Sequence, residues 1–451
     1  MGKAEKLKIG FVSLGCSKNA ADTEVMLAEL DEAGFEITPD ETEADVIVVN
    51  TCAFIESAKQ EAIDTILDVA WLKENGNLQK IIVTGCLAER YRDEIFRELP
   101  EVDAVLGVGS IHNICEAVKK AMTGEKYASF EDKNSVRLGG ARVVTTPPYM
   151  AYLKIAEGCD NRCTYCAIPN IRGRFRSRPM EDIVEEAKLL CDAGAKEISL
   201  IAQDTTRYGT DLYGKQMLVP LIQAICRETD VPWIRLLYCY ADKITDELIE
   251  EMATNDRVVH YIDMPIQHIN DEILRRMNRR DTRALIEETV RKLRARIPDI
   301  TLRTTAIVGF PGETEEQFEE LCRFVEETKF DRFGAFSYSR EEDTPAYNFD
   351  NQIDEATKQE RYDAIMALAS DIHYEKNRAK VGSTVTVLCE GFDEAAGAYV
   401  GRTYADAPDI DGKVFFDIDK GRRLHQAGDF VRVKITDFAD YDLIGSAKIT
   451  P

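Results

Sequence analysis

The chain has 451 residues, 44% of them hydrophobic, and a formal net charge of −24. That length accommodates about three domains with cores of their own and excludes a disordered chain, while runs such as 46–49 and 198–202 are far too short to span a bilayer. The acidic excess disfavours nonspecific binding of RNA or DNA and suits a basic protein partner, through steering and charge complementarity.

The first 140 residues repeat one unit. Lys8–Leu14 reads as a buried strand, followed by a helix over Asp22–Ala33. Asp45–Val49 and Lys80–Val83 are further strands, followed by helices over Ser57–Lys73 and up to Leu99. Ala104–Leu106 and Ile111–Met122 add another strand and helix. Short apolar strands alternating with amphipathic helices predict a doubly wound parallel sheet. Ile9–Cys16 ends in Leu14-Gly15-Cys16, an ending shared loosely with lipoprotein leaders. Its apolar stretch is short and Glu5 precedes it, so it reads as a strand before a functional cysteine, in a cytoplasmic protein.

Twelve cysteines in such a chain point to metal or catalytic use rather than disulfides. Cys16, Cys52 and Cys86 each follow a strand directly, one βα unit apart. Loops after the strands of an open α/β sheet share one edge, where ligands bind. Three such loops can bring three thiols to one point, and the small residues beside them let the backbones approach. Cys115, Cys191, Cys226, Cys239, Cys322 and Cys389 are scattered among apolar segments and read as inert thiols.

Residues 124–148 are polar, contain glycine, and end in Thr145-Thr146-Pro147-Pro148, which reads as a linker. A second βα series follows. Its strands are predicted at Tyr152–Ala156, Glu197–Ala202, Trp233–Tyr238, His260–Met264, Leu302–Val308 and Phe333–Ser337. Six strand–helix units predict a partial (βα)6 barrel with its site at the carboxyl ends of the strands. After the first of these strands comes Glu157-Gly-Cys-Asp-Asn-Arg-Cys-Thr-Tyr-Cys-Ala167, a C-x3-C-x2-C spacing through Cys159, Cys163 and Cys166. Thiolates are the usual protein ligands of iron–sulfur clusters, and three of them on a four-iron cube leave one iron open. Structural zinc wants four ligands, and no Cys or His close in sequence supplies the fourth.

From about Val381 the pattern changes to short strands at Thr384–Leu388, Tyr399–Arg402, Lys413–Phe416 and Phe430–Ile435. These predict a small antiparallel barrel, similar in size to oligonucleotide-binding folds. Residues 381–451 carry eight basic and twelve acidic residues, an unfavourable balance for gripping tRNA. A local patch such as Lys420–Arg423 is the remaining route to RNA.

Taken together these segments resemble the methylthiotransferase branch of the radical S-adenosylmethionine (SAM) superfamily. The resemblance covers nearly the whole chain and divides it into an amino-terminal methylthiotransferase domain (1–140), a radical SAM core (145–376) and a TRAM-like barrel (378–449). It is carried by Ser13-Leu-Gly-Cys-Ser-Lys-Asn19, the cysteine loop through Pro169, Ile171-Arg-Gly173, Arg176-Ser-Arg-Pro179, Met264-Pro-Ile-Gln-His268, Tyr338-Ser-Arg-Glu-Glu342 and Tyr404-Ala-Asp-Ala-Pro-Asp-Ile-Asp-Gly412. The wording is closest to the group that modifies an aspartate of ribosomal protein S12. The tRNA-modifying group usually has Gly-Cys-Gln-Met-Asn where this chain has Gly15-Cys-Ser-Lys-Asn19.

The resemblance implies two [4Fe-4S] clusters with three cysteine ligands each. Cys159, Cys163 and Cys166 would hold the one that binds and cleaves SAM. Cys16, Cys52 and Cys86 would hold an auxiliary cluster carrying the sulfide that a second SAM methylates. A radical derived from SAM would take hydrogen from the β-carbon of the aspartate, which then captures the methylthio group. Cofactor contacts are expected from Tyr165, Gln203, Asp204, Arg235, Gln267, Val308 and Gly309. Substrate contacts are expected from Arg172, Arg174, Arg176 and His268. An extended backbone would set Arg172, Arg174, Arg176 and Arg178 on one face, and arginine forks suit carboxylates. The implied partners are ribosomal protein S12 or the assembling small subunit, and a low-potential electron donor, with neither membrane nor tRNA. The alternatives are a tRNA adenosine methylthiotransferase and, more distantly, a non-catalytic iron–sulfur redox or sulfur-carrier protein.

Overall fold

A computed structural model describes residues 6–417 and 425–447. The patch Lys420–Arg423 lies outside them. The first domain is a six-stranded, all-parallel sheet of β1 (Lys8–Ser13), β2 (Glu36–Ile37), β3 (Val46–Thr51), β4 (Lys80–Gly85), β5 (Ala104–Leu106) and β6 (Tyr127–Ser129). Their order is β2-β1-β3-β4-β5-β6. Every residue of β3 is buried, as expected for a strand covered by helices on both faces. The order reverses between β1 and β3, the switch point where such sheets bind ligands. Ser13 pairs with Asn50, and Asn50 with Thr84, so three strands end level.

Two edge strands, β2 and β6, were too short to read from sequence. The helix predicted up to Leu99 breaks at Arg92, whose φ is 43°, into Cys86–Tyr91 and Glu94–Glu98. The stretch 124–148 is no free linker. It supplies β6 and then lies along the first domain, where Arg142 pairs with Glu24 and Glu186, and Thr145 N donates to Glu24.

The core is a second parallel sheet. It is built from β7 (Met150–Lys154), β10 (Glu197–Ile201), β11 (Trp233–Leu236), β12 (Val258–Asp263), β13 (Thr301–Val308) and β14 (Arg332–Ser337). They form a partial (βα)6 barrel in the order β14-β13-β12-β11-β10-β7. A two-stranded ribbon, β8 (Ala156–Glu157) with β9 (Arg176–Ser177), brackets the cysteine loop. The carboxyl-terminal domain is a closed barrel of five strands, β15 (Thr384–Asp393), β16 (Ala398–Arg402), β17 (Val414–Asp417), β18 (Phe430–Ala439) and β19 (Asp442–Ala447). The sequence suggested an antiparallel barrel, but β17 and β19 pair in parallel. Five is odd, so strand direction cannot alternate all the way round a closed ring.

The motif Tyr404–Gly412 clamps this barrel to the amino-terminal side of the core strands. Arg332 pairs with Asp406, Tyr261 Oη donates to Asp411 at 2.7 Å, and Tyr404 Oη donates to the Asp299 carbonyl at 3.0 Å. Asp406 and Asp411 are therefore spent inside the seam, and are no part of an acidic docking surface. The long helix Glu355–Lys380 packs along β14 and reaches the barrel, where His373 lies against Arg332, Asn377 and the ring of Tyr441. Burial, then Arg332 and Lys380, push the His373 imidazole from 6.5 down to about 4. A depressed histidine stabilises the fold above its unfolded pKa, and that contribution is lost as pH falls from 6.5 toward 4. The wild-type melting temperature should drop between pH 7.5 and pH 5, and less steeply in His373→Gln. Equal slopes would show that this seam does not titrate. The comparison isolates His373 from His112, whose pairing with Glu29 raises its pKa and acts with the opposite sign.

Candidate functional site

Cys16 follows β1 and is the residue before helix Ser17–Glu32. Cys52 follows β3, and Cys86 follows β4 and opens helix Cys86–Tyr91. The three loops touch. Gly15 has φ 86°, and a Cβ there would lie 2.8 Å from the Cβ of Cys52. Gly85, at φ 91°, has its missing Cβ position filled by Asn50 and Thr51. Asn19 ties the loops together, donating to the carbonyls of Leu14 (2.8 Å) and Thr51 (3.0 Å), while Asn50 donates to the Asn19 carbonyl at 2.9 Å. The Cys86 thiol lies 3.8 Å from Asn19 Oδ1. Burial pushes Cys86 up to about 12 and raises Cys52. Burial also opposes ionisation of Cys16, but Lys18 and Arg172 overcome it and hold that thiol below its ordinary value.

The second trio sits on the loop after β8. Gly158, at φ 80°, packs directly on the Arg174 carbonyl, where no Cβ fits. Cys159 N donates to the Gly173 carbonyl and Cys166 N to that of Cys163, both at 3.1 Å. Thr164 N and Oγ1 donate to the carbonyls of Met277 (3.0 Å) and Arg276 (2.8 Å), and Asn278 donates to that of Arg162 (2.9 Å). The three thiols line a cavity of about 340 Å³, together with Arg162, Pro169, Arg174 and Asp343 among others. Burial raises Cys159 to about 12 and Cys166 further. Metal ligands must be deprotonated, so loading either trio requires proton release.

The predicted mouth residues divide. Gln203 Nε2 donates to Glu157 at 2.5 Å, while its Oε1 is buried without a partner among the described residues. Tyr165 stands beside Cys163, with its hydroxyl 3.5 Å from Arg279. Gln267 holds φ 68°, a strained value for a side-chain-bearing residue. Gly309, at φ 70°, closes against Lys358, and Val308 is fully buried. A trio of thiols, an orphaned amide oxygen and stored backbone strain fit a polar cofactor at this edge. Asp204 is spent on Asn161 (2.9 Å) and Thr206 (2.8 Å), so it positions the cysteine loop.

Three expectations change. Arg235 is fully buried and donates to Glu197 (2.5 Å) and the Tyr404 carbonyl (2.8 Å), so it braces the carboxyl-terminal barrel. His268 is fully buried between Glu313 (3.2 Å) and the Asn270 amide (3.0 Å), with no ring nitrogen free. The four arginines do not share a face. Arg172 ends helix Ile168–Arg172, and Gly173 (φ 78°) then turns the chain, so no extended run contains them all. Arg174 is exposed beside Asp160, Arg176 holds the carbonyls of Val136 and Lys133, and Arg178 pairs with Glu186.

Arg172 instead lies between the two cysteine trios. It donates to Asp22 (2.6 Å), Glu157 (3.2 Å) and Asn19, and its guanidinium acts on Cys86 and Cys16. Lys154 pairs with the same Asp22 and, at 2.9 Å, with Glu157. Lys154 and Arg172 hold the Glu157 carboxyl well below the usual range, against its burial. This closed group of two cations and two carboxylates joins the first domain to the core. Sequence reading missed Asp22 and Lys154, which carry no local motif. The other six cysteines pack into apolar clusters, as expected of inert thiols.

Comparison with known proteins adds three family models. The Uncharacterized protein family UPF0004 matches residues 8–107, the Radical SAM superfamily 153–325 and the TRAM domain 381–447. Among curated relatives, the ribosomal protein uS12 methylthiotransferase RimO of Thermoanaerobacter sp. (strain X514) is 49% identical, over 97% of this chain and 99% of its own. The RimO proteins of Acetivibrio thermocellus and Geobacter sulfurreducens are each 50% identical, over 98% of both chains. Among solved structures, the radical SAM methyltransferase TsrM from Kitasatospora setae, with cobalamin and a [4Fe-4S] cluster bound, aligns with a TM-score of 0.57. It is 17% identical over 76% of this chain and 77% of that one, a likeness of fold. Among the described residues no helix is long and apolar enough to cross a membrane.

Proposed function

The chain belongs to the RimO family of ribosomal protein uS12 methylthiotransferases, and from that premise we propose that it inserts a methylthio group at the β-carbon of an aspartate of uS12. In this reading Cys159, Cys163 and Cys166 hold one [4Fe-4S] cluster and Cys16, Cys52 and Cys86 another. When bound, these clusters and SAM supply the one-electron chemistry that breaks an unactivated C–H bond and the sulfur that replaces the hydrogen. The observation that carries the reading is a buried ionic seam that sets Arg172 beside Cys16 and Cys86 and includes Glu157, two residues before Cys159.

The chain's own residues then position and exclude. Asn19 and Asn50 fix the first trio, and Thr164, Asn278 and Asp204 fix the second. Asp22, Lys154, Glu157 and Arg172 fill the space between with satisfied charges and keep water from it. Gln203 Oε1 is left to accept from an amino group of the cofactor. A low-potential donor supplies electrons, and the work is done in the cytoplasm on uS12 or on the assembling subunit.

The test is an anaerobic competition with the iron- and sulfide-loaded protein, SAM and a low-potential reductant. A peptide from the aspartate-bearing loop of uS12 competes with unmodified tRNA, and mass spectrometry reads the product. The peptide should gain a methylthio group in place of hydrogen, and the tRNA none. Gain on tRNA alone would move the enzyme to the adenosine-modifying branch. An absence of SAM cleavage under any condition would favour a redox or carrier protein.

A further inference from the structure

We propose that Lys18 receives the side-chain carboxylate of the substrate aspartate and so selects a protein acid over a nucleobase. This deepens the uS12 reading above and rests on it. The ammonium of Lys18 sits 3.1 Å from the centroid of the Tyr238 ring, and the residue is 6% exposed. Lys18 is two positions after Cys16, in the first turn of helix Ser17–Glu32, and Tyr238 follows β11 of the core. The cation thus bridges the edge of the first domain that carries Cys16 and the mouth of the partial barrel.

The charge balance singles this lysine out. Lys154 and Arg172 are neutralised by Asp22 and Glu157. Among the described residues Lys18 makes no such pair. The side chain set against its ammonium is that of Tyr238. Burial works against this ammonium, the Tyr238 side chain works for it, and an incoming carboxylate adds the opposite charge that the described residues do not place beside it. Arg172 is a weaker candidate, because Asp22 and Glu157 already neutralise it. The place is open to a ligand, since Gly15 is exposed and Cys16 and Tyr238 are half-buried. Tyr238 also holds φ 61°, stored strain at this contact.

The experiment measures binding of two fluorescent peptides to the loaded enzyme with SAM, without oxygen. One is the uS12 loop peptide with its aspartate, and the other carries asparagine in its place. Wild type should prefer the aspartate peptide by about tenfold to a hundredfold. Lys18→Met should bind both peptides as wild type binds the asparagine one, and Lys18→Arg should restore most of the preference. Both variants should keep wild-type iron and sulfide content. A Lys18→Met protein that keeps the full preference overturns the proposal. So does one that loses the preference together with roughly half its iron, since Lys18 would then serve the auxiliary trio. A wild type that methylthiolates uS12 without preferring aspartate overturns the proposal alone. One that modifies only tRNA overturns the uS12 reading as well.

Discussion

Cys163→Ala should reduce SAM cleavage to background, whereas Cys52→Ala should keep cleavage to 5′-deoxyadenosine and lose methylthiolation. The asymmetry follows from where the thiols sit. Cys163 shares one short loop with Cys159 and Cys166 and lines the same cavity. Cys52 comes from a different sheet and shares its site with Cys16 and Cys86. Removing one ligand of three leaves an iron without its protein anchor, so each variant should bind roughly half the wild-type iron. Iron analysis, absorbance, and chromatography of the nucleoside product check this together. A Cys52→Ala protein that methylthiolates its substrate normally would sink the assignment of two separate sites.

Arg172→Ala should destabilise the folded protein by about 3–5 kcal/mol, because it leaves Asp22 and Glu157 buried with too little compensating charge. Arg172→Lys keeps the charge but not the fork, and cannot reach Asp22, Glu157 and Asn19 at once, so it should fall between. Arg174→Ala is the control. Arg174 lies on the surface beside Asp160, and its loss should leave the melting transition in place. Calorimetry on the three variants reads the effect. Iron retention on dilution should fall in Arg172→Ala, since the guanidinium also faces Cys16 and Cys86. A melting curve of Arg172→Ala that overlays the wild type would show that the seam carries no stability.

The cysteines stand out in the sequence because each is announced locally, by a strand end or a tight spacing. Their surroundings do not. Asp22, Lys154, Glu157 and Arg172 meet only when two sheets dock, and no window of sequence contains all four. The arginine run was misread because alternation assumes extended backbone, and Gly173 at φ 78° ends that assumption after Arg172. Arg235 and His268 carry the right chemistry for a site, but the packing of Glu197 and Glu313 against them settles their use. Helix Glu355–Lys380 escaped prediction for a related reason. Its buried face carries Lys358, Arg361, His373 and Asn377, so apolar periodicity does not mark it. The barrel's fifth strand and its parallel pair are consequences of closure, which residue patterns do not encode.

The seam also imposes an order on biosynthesis. Cys16, Cys52 and Cys86 all come just after strands of the first sheet, and Arg172 belongs to the core that follows. Translation proceeds at about 5–20 residues per second, so the first trio is complete on the ribosome for on the order of ten seconds before Arg172 is made. Throughout that interval Asp22 faces water, and the thiols lack the cation that later sits over them. The nascent first domain is an open receptacle, and synthesis of the core is what shuts it.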